Sequence, residues 1–167
     1  MRIRSQRGFT LIELLIVVAI IGIIAAIAVP GLLRARMSGN EASAIGSMRA
    51  INTSQVNYSQ QCNGYAPNLP ELRLAGNFLS PDLTSGAVVP KSGFSVTLVQ
   101  SSVGAPIPAP PAGCTATTTN YYATSAPLSF GATGTRSFAS TEQGTIFYTN
   151  TLAPPPDPIP AAATPIQ

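Results

Sequence analysis

The chain has 167 residues and a mass of 17.2 kDa, a size that suits one domain better than two. Charged residues form only 9% of it and histidine is absent, which excludes His-dependent catalysis and most zinc sites. The net charge of +3 comes from Arg2, Arg4 and Arg7, and the remaining charges balance, so no basic patch for nucleic acid is expected. We expect a protein that is not an enzyme and that has no cofactor and no metal site.

An apolar segment occupies residues 9–33 and contains one charged residue, Glu13. At about 1.5 Å per residue, a helix of this length can cross the ~30 Å hydrocarbon core of a membrane. Arginines flank the segment, and their modest excess on the N-terminal side favours a cytoplasmic N-terminus and an exported remainder. A secretory signal peptide that is cleaved after Ala28 is the alternative, but a carboxylate inside the apolar run has no use in a discarded peptide.

The residues around the start of this segment resemble a known family. Residues 7–14, RGFTLIEL, followed by the apolar run, are similar to the N-terminus of type IV pilins and of type II secretion pseudopilins. The resemblance implies that a prepilin peptidase removes residues 1–8 as a leader, cutting between Gly8 and Phe9, and methylates the new amine of Phe9. It also assigns Glu13 to subunit assembly, in which its carboxylate pairs with the Phe9 ammonium of a neighbouring copy and each charge offsets the other's desolvation.

Two residues inside the apolar segment weaken its helix. Relative to Ala in a helix interior, Gly22 costs about 1 kcal/mol and Pro30 about 3 kcal/mol. The family resemblance implies that the helix loosens between these positions when a subunit enters the filament. Close helix packing at Gly22 and Ala26 is the alternative interpretation.

Apolar residues recur at three- and four-residue spacing through residues 34–62, which predicts that the helix continues as an amphipathic half. Its apolar stripe is expected to pack on a head domain formed by residues 63–150. Segments rich in β-branched and aromatic residues predict four strands in this domain, at residues 93–100, 120–125, 136–140 and 145–148. Tyr65 and Leu72, which follow the helix, are predicted core anchors. The expected fold is α+β, with a long N-terminal helix packed on a small antiparallel β-sheet, as in the pilin fold.

Two cysteines and a proline-rich C-terminus complete the chain. Cys62 and Cys114 lie in the part predicted to be exported, where thiols oxidise, and they predict a disulfide between the helix end and the loop before the second strand. Free thiols are the alternative. Residues 151–167 are rich in proline and are expected to form a flexible tail, because such sequences favour extended polyproline conformations.

These features predict a type IV pilin precursor, a structural subunit that polymerises into a surface filament as a homo-oligomer. It is expected to span the bacterial inner membrane once before assembly and to lie in an extracellular pilus afterwards. The resemblance implies a prepilin peptidase, an assembly ATPase and a platform protein as partners. Adhesion and motility are roles of the family that the residues themselves do not indicate.

Two alternative functions remain open from the sequence. The first is a pseudopilin of a type II secretion system, whose periplasmic pseudopilus drives protein export. Major pseudopilins carry a calcium site, and the C-terminal region here offers only Glu142 and Asp157, without a calcium-loop pattern. The second alternative is an ordinary exported domain that is released by signal peptidase.

Overall fold

The computed structural model describes residues 8–166, so Arg2, Arg4 and Arg7 of the predicted leader lie outside the described residues. The chain divides into two compact units, residues 1–36 and residues 37–167.

One long helix, α1, spans Leu11–Cys62 and runs unbroken through Gly22 and Pro30. Asn63 follows its last residue with φ of +56°, a left-handed conformation that asparagine tolerates and that commonly ends helices. The long N-terminal helix that the apolar run and the later periodicity predict is therefore confirmed.

In the first unit, every described residue is exposed to solvent, from Gly8 to Arg36. The helical conformation of this part is therefore set by local hydrogen bonds and propensity, with no side-chain packing inside the unit. This stretch is long and apolar enough to cross a membrane.

The second unit contains one antiparallel sheet of six strands in sequence order. The strands are β1 Val88–Lys91, β2 Phe94–Gln100, β3 Tyr121–Pro127, β4 Ser137–Thr141, β5 Ile146–Thr149 and β6 Thr164–Pro165. The four predicted strands correspond to β2 to β5, and the antiparallel sheet of the predicted α+β fold is confirmed. The sequence pattern does not predict β1 and β6, because each is short and contains a proline.

The core of the second unit lies between the C-terminal half of α1 and one face of this sheet. Large apolar side chains that are fully buried from the two sides include Met48, Ile51 and Tyr58 of α1 and Phe94, Val96, Leu98 and Phe138 of the sheet. Burial of one such side chain contributes roughly 1.5 to 3 kcal/mol. Of the two predicted anchors that follow the helix, Leu72 is fully buried in the short helix α2, Glu71–Leu74, and Tyr65 packs half-buried against the core.

Residues 151–166 differ from the flexible tail that their composition predicts. The Ser137 hydroxyl donates a hydrogen bond of 2.6 Å to the carbonyl of Thr151, and the Tyr122 hydroxyl donates one to the carbonyl of Pro155. Strand β6, at the end of the segment, pairs with β5. Prolines lack an N–H group, but their carbonyls still accept hydrogen bonds, and hydroxyl groups of the sheet supply the donors.

The tail covers the face of the sheet that is opposite to α1. Neighbouring residues of a strand point to opposite faces, so Ala139 faces away from the core in which Phe138 is packed. Ala139 is nevertheless fully buried, as is Ser137, whose hydroxyl bonds to the tail. The sheet therefore has a helix on one face and a proline-rich segment on the other.

Candidate functional site

The predicted cleavage site lies in open, non-helical chain just before α1. Helix α1 begins at Leu11, so neither Gly8 nor Phe9 is helical. No atom lies within 4 Å of the position that a Cβ at Gly8 would take, and the Phe9 residue is 82% exposed. The peptide bond between Gly8 and Phe9 is therefore accessible to a peptidase from several directions.

Thr10 and Glu13 form a reciprocal cap at the start of the helix. The Thr10 backbone N–H and hydroxyl both donate to the Glu13 carboxylate, at 2.9 and 2.6 Å, and the Glu13 N–H faces the Thr10 hydroxyl at 3.4 Å. This is the capping-box arrangement, in which a Thr and a Glu three residues later satisfy free N–H groups of the first turn. The spacing of Thr10 and Glu13, three residues apart before an apolar run, is a signal of this cap that the sequence itself carries.

The cap holds the Glu13 carboxylate against Thr10, the residue that directly follows Phe9, and Phe9 is the predicted new N-terminus. A carboxylate in the first turn also interacts favourably with the helix dipole. Among the described residues, the ion pairs are Lys91–Asp82 and Arg136–Glu41. Glu13 therefore has hydrogen-bond donors but no cationic partner within the part of the chain that the structure describes.

The helix after Glu13 exposes a continuous apolar surface. Its Leu, Ile and Val side chains from Leu11 to Leu33 are about half to three-quarters exposed. Soluble monomers rarely expose a contiguous apolar patch larger than a few hundred Å². This surface requires lipid or other apolar helices around it. Gly22 and Pro30 lie within it, and the helix is intact at both.

Cys62 and Cys114 form a disulfide with a sequence separation of 52 residues. No free cysteine exists in the described chain, so the alternative of free thiols is wrong. In the chain-entropy model a cross-link of this span stabilises the fold by up to about 4 kcal/mol. Both cysteines are buried, and the bond connects the last residue of α1 to the long loop before β3.

A second connection joins α1 to the segment just before β4, near the N-terminal end of the packed part of the helix. No local sequence pattern predicts it. Glu41 is only 6% exposed and accepts hydrogen bonds from the Thr135 N–H at 2.7 Å and from the Arg136 Nε at 2.8 Å. Burial acts to raise the pKa of Glu41, but these hydrogen bonds and the Arg136 charge outweigh it and lower the pKa overall. The Arg136 guanidinium also lies over the rings of Phe138 and Tyr148.

Glu142 and Asp157, the two acidic residues considered for a calcium site, both line one cavity of about 390 Å³ beside the tail. The Asp157 carboxylate accepts hydrogen bonds from the Ser101 hydroxyl at 2.9 Å and from the Ser102 N–H at 2.5 Å. It therefore fastens the tail to the end of β2. Within the described residues, no group of three or more His, Cys, Asp or Glu side chains is placed to hold a metal ion.

Comparison with known proteins identifies the same N-terminal segment. The family model of the prokaryotic N-terminal methylation motif matches residues 3–29. The chain is 35% identical over 101 residues to the type IV wide pilus major component PilA4 of Thermus thermophilus, across 60% of this chain and 77% of that protein. It is 40% identical over 70 residues to the type IV major pilin protein PilA of Myxococcus xanthus, across 42% of this chain and 32% of that protein.

A shorter match extends the same set of relatives. The chain is 49% identical over 57 residues to a fimbrial protein of Moraxella nonliquefaciens, which is 32% of this chain and 37% of that protein. It thus spans most of the Thermus relative and less than two thirds of the other two. No solved structure matches the chain. The methylation motif, the long helix with its antiparallel sheet and the match across most of the Thermus pilus component agree, and the chain belongs to the type IV pilin family as a structural pilin subunit.

Proposed function

We propose that this chain is a filament-forming pilin that is stored in the bacterial inner membrane and polymerised into a surface pilus. The observation that carries the proposal is the exposed apolar helix from Leu11 to Leu33, in which Glu13 is the single charged residue. Lipid covers this surface before assembly, and the same helices of other copies cover it in the filament. The printed names of the Thermus and Myxococcus relatives, a wide pilus major component and a major pilin, support a role as a filament subunit.

The first step of the mechanism is removal of residues 1–8 by a prepilin peptidase. The open chain at Gly8 and Phe9 supports this step, because a protease needs an extended, accessible segment and the helix begins only at Leu11. Hydrolysis of the bond between Gly8 and Phe9 creates a free amine on Phe9. Methylation of that amine leaves its positive charge in place.

The second step is pairing of charges between copies. A carboxylate in an apolar environment costs several kcal/mol unless it is paired and hydrogen-bonded. The Thr10 cap supplies hydrogen bonds to Glu13, and the Phe9 ammonium of a neighbouring copy supplies the charge. Because the two charges lie at the start of each helix, their pairing fixes how far one subunit is displaced along the filament relative to the next.

The third step is loosening of the helix between Gly22 and Pro30 as subunits pack. Pro30 has no N–H group, so the helix lacks one backbone hydrogen bond there, and Gly22 adds backbone entropy. The intact helix is then the form of the membrane-anchored subunit. The assembly ATPase and the platform protein act on this form, and the chain itself has no enzymatic activity.

The experiment is to sequence the N-terminal peptide of the protein by tandem mass spectrometry, from sheared surface filaments and from membranes. We expect a chain that starts at Phe9 with one added methyl group in both fractions. A start at Val29 contradicts the proposal, because it removes the apolar helix and leaves a secreted domain. A methylated start at Phe9 without surface filaments, together with loss of protein secretion on deletion of the gene, identifies a pseudopilin instead.

A further inference from the structure

The loop between β3 and β4, residues 128–135, carries two large apolar side chains that the fold does not bury. Leu128 is 58% exposed and Phe130 is 45% exposed. A loop that only connects two strands is normally polar, since apolar side chains that stay in water gain nothing from folding. The core of the second unit therefore does not account for either side chain.

Hydrogen bonds and a close backbone approach hold this β3–β4 loop in one conformation. The Thr133 N–H donates to the Ser129 carbonyl at 2.9 Å, and the Asn40 side-chain amide of α1 donates to the Thr133 carbonyl at 3.0 Å. At Gly134 the loop returns so close to Phe94 that a Cβ would lie 2.5 Å from the ring. A fixed loop loses little conformational entropy when it binds, so its exposed side chains are preorganised for contact.

A second exposed surface is the proline-rich loop between β2 and β3, residues 105–112, with the sequence APIPAPPA. Pro106 and Pro108 are both exposed. Proline-rich segments bind in grooves that are lined by aromatic side chains, because the apolar proline rings pack on the aromatic faces and the backbone is already extended. The proline-rich loop is therefore a suitable contact surface for an exposed aromatic ring.

The proline-rich loop is also held in place at both ends. At its start, the Ala105 N–H donates to the Thr119 hydroxyl and the Thr119 N–H donates to the Ala105 carbonyl, both at 2.9 Å. At its end, the Cys114 N–H donates to the Pro111 carbonyl at 3.0 Å, and the disulfide joins Cys114 to Cys62 of α1. This loop, like the β3–β4 loop, is preorganised for contact.

Neither of the two loops carries a charge. The sequence has no charged residue between Lys91 and Arg136, and both loops lie in this stretch. The two charges that flank it are compensated, since Lys91 pairs with Asp82 and Arg136 pairs with Glu41. Contact between the loops therefore removes no charge from water and brings no like charges together, so the two surfaces are electrostatically compatible.

The two loops lie at opposite ends of the second unit. Strand β3 runs from the side of the proline-rich loop at Tyr121 to the β3–β4 loop after Pro127, and at about 3.3 Å per residue it is roughly 20 Å long. Helix α1 contacts the β3–β4 loop at Asn40 and is joined to the end of the proline-rich loop through Cys62. Complementary surfaces at opposite ends of one molecule join copies head to tail, and such contacts build open filaments when the rotation between copies does not close a ring.

We propose that the β3–β4 loop of one copy docks on the proline-rich loop of another copy in the filament, with Phe130 packed on Pro106 and Pro108 and with Leu128 beside it. The inference rests on the proposed function, because it requires copies that are assembled in a fixed register. Copies in a filament are already joined by their apolar helices, so the two loops meet at a high effective concentration. The contact buries apolar area that each isolated copy leaves in water.

Lipid, another protein and a different face of a second copy are the other surfaces that could cover the β3–β4 loop. The proline-rich loop is favoured over these because every copy carries both surfaces, both are uncharged and both are fixed before they meet. The possibilities differ in what Phe130 touches after assembly. An experiment that identifies this contact directly distinguishes them.

The test uses a photoreactive side chain at the position of Phe130. The full chain is expressed in bacteria with p-benzoylphenylalanine in place of Phe130, and sheared surface filaments and membranes are irradiated separately. Cross-linked copies are separated by mass, and tandem mass spectrometry locates the residue to which the probe is attached. The matched control carries the same probe at Val56, which is 52% exposed but lies in α1. Leu128 is the second probe position, in case the replacement of Phe130 perturbs the loop.

We expect the probe at Phe130 to join two copies in sheared filaments and to attach within residues 105–112, while the probe at Val56 gives no attachment in that range. The two loops of one copy lie at opposite ends of the unit, so attachment within this range reports contact between copies. Attachment only to lipid, to another protein or to a different part of a second copy overturns the proposal. No attachment from either Phe130 or Leu128 also overturns it.

The same experiment separates this contact from the proposed function. Sheared surface filaments in which the loop probes attach elsewhere leave the filament function in place and overturn the loop contact. Attachment within residues 105–112 in membranes of cells that release no surface filaments supports the loop contact and contradicts the surface pilus. Neither filaments nor attachment contradicts both.

Discussion

The two units of the chain reach a stable state in opposite ways. Residues 11–36 belong to a helix whose large apolar side chains here are all exposed, and lipid or other apolar helices are needed to cover them. Residues 37–166 bury their own core, close it with a disulfide and pair four of their charges in two internal ion pairs. The first region is incomplete without partners and the second is complete without them. We therefore expect assembly to depend on the apolar helix and stability to depend on the remainder.

The largest expected effect is on filament yield, and it comes from a change at the one charged residue of the apolar helix. Glu13→Gln removes the charge that we propose pairs with the Phe9 ammonium but keeps a side chain that can accept from Thr10. We expect normal insertion and leader cleavage, with the yield of sheared surface filaments reduced to near background on immunoblots. A normal filament yield from this variant contradicts the pairing mechanism.

Glu142→Gln is the matched control for that experiment. It also removes one negative charge, but from the β4–β5 turn, outside the apolar helix. We expect its filament yield to equal that of the wild type. Loss of filaments in both variants would indicate an effect of net charge rather than of position.

The next largest effect is on the stability of the second region, and it tests how much the disulfide contributes. Cys62→Ser combined with Cys114→Ser removes the cross-link, and we expect the free energy of unfolding to fall by up to about 4 kcal/mol. Denaturant titration of the full chain in detergent micelles, followed by tyrosine fluorescence, measures this loss. Wild-type protein treated with a reductant should give the same curve. If both proteins unfold at the wild-type midpoint, the disulfide contributes no stability.

The sequence predicts those elements whose pattern lies within the element itself. Local patterns were sufficient for α1 and for β2 to β5, because each has its own periodicity or a run of β-branched and aromatic residues. The short strands β1 and β6 carry prolines, and their pairing depends on neighbours that the local pattern does not contain. The fastening of the proline-rich tail was unpredictable for the same reason, since its donors, Ser137 and Tyr122, belong to other strands.

In the candidate site, too, only residues that are close together in the sequence could be predicted from a local pattern. Gly8, Phe9 and Glu13 lie within six residues of one another, so a contiguous motif is enough to predict their roles, which stay predictions. The Glu41–Arg136 pair joins residues that are 95 positions apart, and nothing in either local sequence marks them as partners. The pairing of Cys62 and Cys114 was predictable only because the described chain contains no other cysteine.

A smaller effect is expected from Glu41→Gln, which tests whether the second region needs its internal charge pairs. The variant keeps the size of the side chain but loses the ion pair with Arg136, which is itself partly exposed. We expect a loss of about 1 to 3 kcal/mol in the free energy of unfolding, less than for a fully buried pair. Asp82→Asn is the control, since the Lys91–Asp82 pair is more exposed and should contribute about 0 to 1 kcal/mol.

The Glu41 pair also predicts a dependence of stability on pH. The pKa of Glu41 is lower in the folded chain than its ordinary value of 4.5, so the folded state binds this proton less readily than the unfolded state. The stabilisation is complete above about pH 5 and is lost as the pH falls through the folded pKa. We expect denaturant midpoints measured between pH 6 and pH 3 to fall less steeply for Glu41→Gln than for the wild type. Parallel curves would show that Glu41 is not the group that titrates.

The smallest effect is expected from a change that removes the contacts between the C-terminal tail and the end of β2. Asp157→Ala removes the acceptor for Ser101 and Ser102, which costs about 1 kcal/mol or more for hydrogen bonds to a charged group. Because the tail lies on the outer face of the sheet and not in the core, we expect local release rather than global unfolding. Amide hydrogen exchange should become faster in the tail and in β6 while the amides of β2 and β3 stay protected. Asn150→Ala, an exposed residue before the tail, is the control. Unchanged exchange in Asp157→Ala would mean that the contacts of Ser137 and Tyr122 are sufficient to hold the segment, and that the carboxylate is available for another partner.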